Sequence, residues 1–282
     1  MMRQFSEMTI RELPGQCCFS TLGCPKYSLE EALSLAEHWG FEGVELRALD
    51  GTIDLVEALS RRFGEPGKLA EAMQGRAVRI AALDASLHVR RPKPEDREEL
   101  LALAGWADAL GVERLRVFDG GRNETALSEE ARDDMLSTLD WWQQERRKRG
   151  FRCDLMVETH WILTNPECCL ELARAASMPV AILWDSFHTW AHAPVSLGDT
   201  WAMLNPYICH IHFRDGYRDE SKPEGATYTL PGQGDYPLEA LFTLLKKSGY
   251  SNWFSLEWEW LWHPELPSLE EALVTGRQRG LW

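Results

Sequence analysis

The chain has 282 residues, 44% hydrophobic and 26% charged, and its 30 basic side chains face 44 acidic ones for a formal net charge of −14. That length can bury a large core, and that charge repels a polyanion, so a nucleic-acid partner is not expected. The opening MMRQFSEMTIREL lacks the apolar centre of a secretion signal, no run approaches a membrane span, and seven cysteines, an odd number without CxxC spacing, do not resemble a secreted disulfide framework; a cytoplasmic protein that keeps off membranes is expected.

Strand-like and helix-like segments alternate along the whole chain. QCCFSTL reads as a first strand, followed by an amphipathic helix that starts at the N-cap Ser28 and stops at Gly40. GVELR, a helix over Asp54–Phe63, a helical piece over Gly67–Met73 and the strand VRIAALD come next. PEDREELLALAGWADALG has helical spacing and precedes VERLRVF. A long helix over Ser128–Arg149 leads to RCDLMVE, and its RRKR end, the one strong basic run, reads as a solvated helix terminus whose cations complement the dipole. PECCLELARAAS then precedes PVAILWD, a helix near Leu197–Leu204 precedes YICHIHF, PLEALFTLLKKSG precedes NWFSLE, and SLEEALVTGRQ closes the chain.

Eight strands separated by helices, with no linker-like stretch between them, fit one α/β domain over residues 1–282, a (β/α)8 TIM barrel. An open doubly wound sheet would need a phosphate-cradling glycine motif, and Gly111 and Gly120-Gly121 lack its spacing.

Four potential cation ligands each end a short apolar run: Glu158 of DLMVE, Asp185 of AILWD, His212 of CHIH and Glu257 of WFSLE. The intervals 185 − 158 and 212 − 185 are both 27 residues, close to the length of one strand, loop and helix. On successive parallel strands the four side chains converge at the C-terminal barrel mouth, where active sites of this fold lie. Three carboxylates and one imidazole suit Mn²⁺, Mg²⁺, Co²⁺ or Fe²⁺, with Zn²⁺ also able to bind. His210, the neighbouring histidine of CHIH, is expected to point the other way, into the helix layer.

FSTLG, GFEGVELR, VETH, WDSFH, HIHFRDG and LPGQGDYPLEALFTLLKKSGYSNWFSLEWEW together resemble the xylose-isomerase-like barrel superfamily, in particular its sugar-phosphate isomerase/epimerase group with ketose 3-epimerases and inosose dehydratase. The resemblance implies one divalent cation on Glu158, Asp185, His212 and Glu257. It also implies substrate contacts from His188 and Arg218, and it makes His160 and Glu45, at or just past their strand ends, candidates for contacting substrate or hydrogen-bonding the ligands. A homo-oligomer is the assembly that it suggests.

A cation flanked by two glutamates would polarise a ketose carbonyl and stabilise the enediolate left when the adjacent carbon loses its proton. Glu158 and Glu257 would take the proton from one face and return it from the other, the work of a sugar isomerase or epimerase on a small sugar or polyol-derived ketone. Expulsion of a β-hydroxyl instead would make the protein a dehydratase, and the 214–236 loop is expected to cover the site and decide between them. The same barrel carries endonuclease IV, but that family needs histidines where this chain has AALDAS and RVFDGG, with Phe118 at the expected position. A non-catalytic sugar-binding barrel is the remaining alternative. His88 reads as a loop histidine, and Trp253, Trp258, Trp260 and Trp262 either wall the site or fill the core.

Overall fold

A computed structural model describes residues 9–122, 124, 126–222 and 225–282. Its strands in chain order are β1 (Gln16–Ser20), β2 (Gly43–Leu46), β3 (Arg79–His88), β4 (Arg114–Phe118), β5 (Asp154–Glu158), β6 (Ala181–Asp185), β7 (Ile208–Phe213), β8 (Asp215–Arg218), β9 (Ala226–Thr229) and β10 (Trp253–Leu256). All but β8 and β9 are parallel and form a closed barrel, sealed where β1 pairs with β10 from Gln16↔Trp253 to Phe19↔Leu256. The eight strands expected from the sequence are these eight.

The helices are α1 (Leu29–Trp39), α2 (Leu55–Phe63), α3 (Pro66–Met73), α4 (Pro94–Leu110), α5 (Glu129–Arg149), α6 (Pro166–Ala175), α7 (Ser186–His192), α8 (Leu197–Leu204), α9 (Leu238–Ser248) and α10 (Leu269–Gln278). Local chemistry sets their ends. Ser28 and Glu31 form a capping box at α1, Ser268 and Glu271 repeat it at α10, and Gly40 in the left-handed region stops α1. Strand residues that face outward pack on the helices: Phe213 of β7 meets Phe242 of α9 edge-on, ring centroids 5.5 Å apart, and both are buried. The seven cysteines are all free and six are buried, as expected of small core residues.

Three local features depart from the sequence reading. β3 runs on to His88, so this histidine ends a strand rather than sitting in a loop, with its ring stacked 5.1 Å from Phe118. The short helix α7 starts directly after β6 because the Asp185 side chain accepts the backbone N–H of His188 (2.8 Å) and caps it.

Residues 214–236, expected as an irregular cover, carry the antiparallel pair β8–β9, in register from Asp215↔Thr229 to Arg218↔Ala226. Asp215 ties this segment down by accepting from the N–H groups of Gly232 (2.7 Å) and Gly234 (3.0 Å). Gly234 has to be glycine, since a Cβ there would lie 2.2 Å from the Asp215 carboxylate. No helix among the described residues is long and apolar enough to cross a membrane.

Candidate functional site

Inward-pointing residues of each strand alternate with those that face the helices, and barrel stagger brings the ends of β5, β6, β7 and β10 to a common level. Asp185 pairs across with His212, and His212 with Ser255, while Glu158 sits opposite Leu183. Glu257 follows β10 directly and its N–H donates to the Phe213 carbonyl (3.2 Å), placing it beside β7. The ligand atoms of Glu158, Asp185, His212 and Glu257 consequently lie within 4.8 Å of one another, all four residues buried. Thr159 and Ser186 brace this rim: the Asp185 N–H donates to Thr159 Oγ1 (2.9 Å), and the Ser186 hydroxyl donates to the His212 carbonyl (2.7 Å).

His212 is oriented from below. Its Nε2 lies 2.8 Å from Glu45 Oε1, and its Nδ1 faces Glu257 Oε2 at 3.0 Å and Glu158 Oε1 at 3.7 Å. With Nε2–H donating to Glu45, Nδ1 faces two carboxylates, an arrangement that calls for a positive charge between them, either a proton on His212 or a bound cation. Neither His212 Nδ1 nor Glu158 Oε2 forms a hydrogen bond among the described residues. A buried carboxylate oxygen and an imidazole nitrogen left without hydrogen-bond partners, converging with two further buried carboxylates, fit a divalent cation, so these four residues could hold one.

His210 does not point into the helix layer. Residues two apart on a strand share a face, so His210 and His212 both enter the barrel; His210 Nε2 lies 2.7 Å from Glu45 Oε2, and the two rings are 5.5 Å apart. Arg214 continues the same face. Its guanidinium donates to Asp185 Oδ2 (2.6 Å) and Glu257 Oε2, lies 2.8 Å from His188 Nε2 and 3.4 Å from Glu259 Oε1, and faces the rings of Phe187 and Tyr228 at 5.4 and 5.3 Å. On β4, Arg116 lies 3.2 Å from Asp84 and 3.5 Å from Glu158, with its guanidinium over the Phe118 ring at 4.0 Å.

These charges set the protonation states. Burial opposes ionisation of Glu158 and Glu257, yet the Arg116 charge for the former, and those of His212 and Arg214 for the latter, overcome it and hold both below the usual carboxylate range. Burial pushes Asp185 up to about 6 and Glu259, with Glu257 nearby, up to about 8. Burial keeps His160 and His188 neutral at pH 7, the former at about 4 and the latter further disfavoured as a cation by Arg214.

The other expected residues divide sharply. His188 is buried in the site, its Nδ1 3.1 Å from Asp185, and His160 packs edge-on to it with ring centroids 4.9 Å apart. Glu45 is fully buried beneath the quartet, with both oxygens against histidines, so it reaches the mouth only through His212. Arg218 is exposed, donates to the Trp190 carbonyl (3.1 and 2.6 Å) and stacks on the Trp190 ring. Trp258 is core, Trp253 lies at the opposite end of its strand, and Trp262 is exposed. Arg214, Arg116, Asp84 and Glu259 were not singled out from sequence. The signal for Arg214 was available: it stands two residues after His212 in HIHFRD, on the same inward face.

The chain belongs to the xylose isomerase-like TIM barrel family, whose model matches residues 33–277. An inosose dehydratase from Lactiplantibacillus plantarum is 30% identical over 113 residues, 35% of this chain and 36% of the relative, so the match spans about a third of that protein's length. Among solved structures, the IOLI protein with a bound zinc atom superposes with a TM-score of 0.73 at 19% identity, covering 94% of this chain and 96% of that one. A D-tagatose 3-epimerase-like protein superposes at 0.66 and 17% identity, covering 93% and 94%. At these identities the two structures speak for the fold.

Proposed function

We propose that the protein is a divalent-metal-dependent sugar isomerase or epimerase that removes a proton next to the carbonyl of a ketose or related hydroxyketone. The observation that carries this reading is the convergence of the Glu158, Asp185, His212 and Glu257 ligand atoms within 4.8 Å at the C-terminal mouth of the barrel. A cation held by these residues would polarise the substrate carbonyl and stabilise the negative charge that develops as the proton leaves. Zinc is bound by the IOLI protein, and Mn²⁺, Mg²⁺, Co²⁺ and Fe²⁺ suit the same oxygen-rich set.

The chain's own residues supply the rest. Glu158 and Glu257, both held ionised, are the bases: one takes the proton, and the other, after taking a proton from solvent water, returns it from the opposite face. Arg214, under its aromatic cover, is the donor for substrate oxygens that gain charge, and neutral His188, whose Nε2 accepts from it, holds it in place. Arg218 would have to leave the Trp190 carbonyl to make the substrate contact expected of it.

A dehydratase is the second reading, supported by the 30% identity to an inosose dehydratase. It shares the proton abstraction and differs in the fate of the β-hydroxyl. The test is incubation of the metal-loaded protein in D₂O with ketoses and inososes. Solvent deuterium next to the carbonyl, lost in Glu158→Gln or Glu257→Gln, is expected; water elimination would select the dehydratase, and neither reaction with any hydroxyketone would overturn both readings.

A further inference from the structure

The opposite mouth of the barrel holds a cavity of about 440 Å³, within the range of small-molecule sites. It opens at the strand starts, the end of this architecture associated with stability rather than chemistry. Arg79 and Arg114, the first residues of β3 and β4, line it together with Arg76, Glu113, Trp253 and His210. Three guanidinium groups thus meet one carboxylate in a chain of net charge −14.

Arg62, Arg90, Arg116, Arg146 and Arg214 each hold carboxylates, whereas exposed Arg11 and Arg218 rest on carbonyls, so what sets the cavity apart is three arginines without a carboxylate partner among the described residues, gathered on one wall. Among the described residues, Arg76 donates only to the Ala72 carbonyl (3.3 Å), Arg114 donates to the Leu155 carbonyl (3.4 Å), and Arg79 lies over the Trp253 ring at 5.0 Å. Each retains donors directed at no anion. The wall behind them is fixed: Trp253 lies so close to Gly43 that a Cβ there would be 2.7 Å from the indole, and Arg79 is stacked on that indole. His210, 2% exposed and turned towards Glu45, closes the inner end.

We propose that this cavity is a second ligand site that binds a small dianion, a phosphate or a dicarboxylate, across the barrel from the quartet. Planar guanidinium forks match the oxygens of both groups, and Trp253 offers an apolar face to a short carbon skeleton. This assignment is independent of the reaction proposed at the other mouth.

Calorimetric titration of metal-free, full-chain protein with inorganic phosphate and, separately, with succinate tests it at low ionic strength. One saturable site per chain is expected, weakened roughly tenfold or more in Arg79→Gln and in Arg114→Gln, because each removes a charge-assisted hydrogen bond. Arg91→Gln, at an exposed ion pair with Glu130, should keep the wild-type affinity. Exposed Arg76→Gln serves as the further variant if Arg114→Gln does not fold. Preference for phosphate or for succinate assigns the anion class. No saturable binding of either probe, equal binding by all the cavity variants, or an equal loss in Arg91→Gln would overturn the proposal.

Discussion

The two halves of the C-terminal rim are built from opposite materials. Strands β5, β6, β7 and β10 lead to Glu158, Asp185, His212 and Glu257, whereas β1, β2, β3 and β4 lead to Ser20, Arg47, His88 and Phe118. The back half gathers three carboxylates with Arg214 beside two of them, and the front half supports the set in a dry interior: Arg116 reaches Glu158, and Glu45 holds the ring of His212. The candidate ligand set thus depends on strands that contribute no member to it. Without these partners burial would neutralise the carboxylates, as it does at Glu259.

Substituting the back half should have the largest effect. Glu257→Gln keeps the side-chain shape and removes a base, so the deuterium-exchange rate should fall about 10²–10⁴-fold, read by NMR of the recovered ketose. An unchanged rate would remove Glu257 from the proton path. In the front half, Arg116→Met leaves Asp84 and Glu158 buried without their counter-charge and should destabilise the protein by about 3–5 kcal/mol in urea unfolding. Arg149→Met, at a surface ion pair with Glu145, should leave the urea midpoint close to that of the wild type. Similar losses for the two arginines would mean that the front half is not an electrostatic support.

Glu45→Gln should act between these extremes. It removes the carboxylate that orients His212, so metal affinity should weaken about 10–100-fold, measured by competition with a chelating dye. Wild-type affinity would make Glu45 a mere neighbour.

The smallest effect concerns pH. His160 has its pKa depressed to about 4 by burial, against about 6.5 in the unfolded chain, so the unfolded state binds the extra proton first. Its contribution is fully present above pH 6.5 and is lost as pH falls towards 4. His160→Gln should therefore flatten the metal-free protein's stability loss between pH 6.5 and 4; an unaltered slope would show that His160 is protonated as readily when folded.

Much of the barrel was legible because its signals are local. Apolar runs with a polar end marked the strands, and Ser28, Gly40 and Ser268 sit where helix ends require them. The quartet was legible for the same reason, each member standing at or just beyond a strand end. What was not legible depends on partners distant in sequence. Arg116 looks like any strand arginine until Asp84 and Glu158 are beside it. Arg214 and Arg218 are four residues apart in one motif, yet the first enters the barrel and the second lies on Trp190, because β8 begins between them. His210 was misread through strand parity, which the sequence itself contains.

If the back-half quartet holds one divalent cation, the ion should be countable. Metal analysis after equilibration with Zn²⁺ or Mn²⁺ and removal of excess ion tests it directly, comparing wild type with the Asp185→Asn/His212→Ala double variant. One ion per chain in the wild type and none in a folded double variant is the predicted result. A wild type that retains no ion, or a double variant that retains a full equivalent, would mean that the quartet is not a cation site.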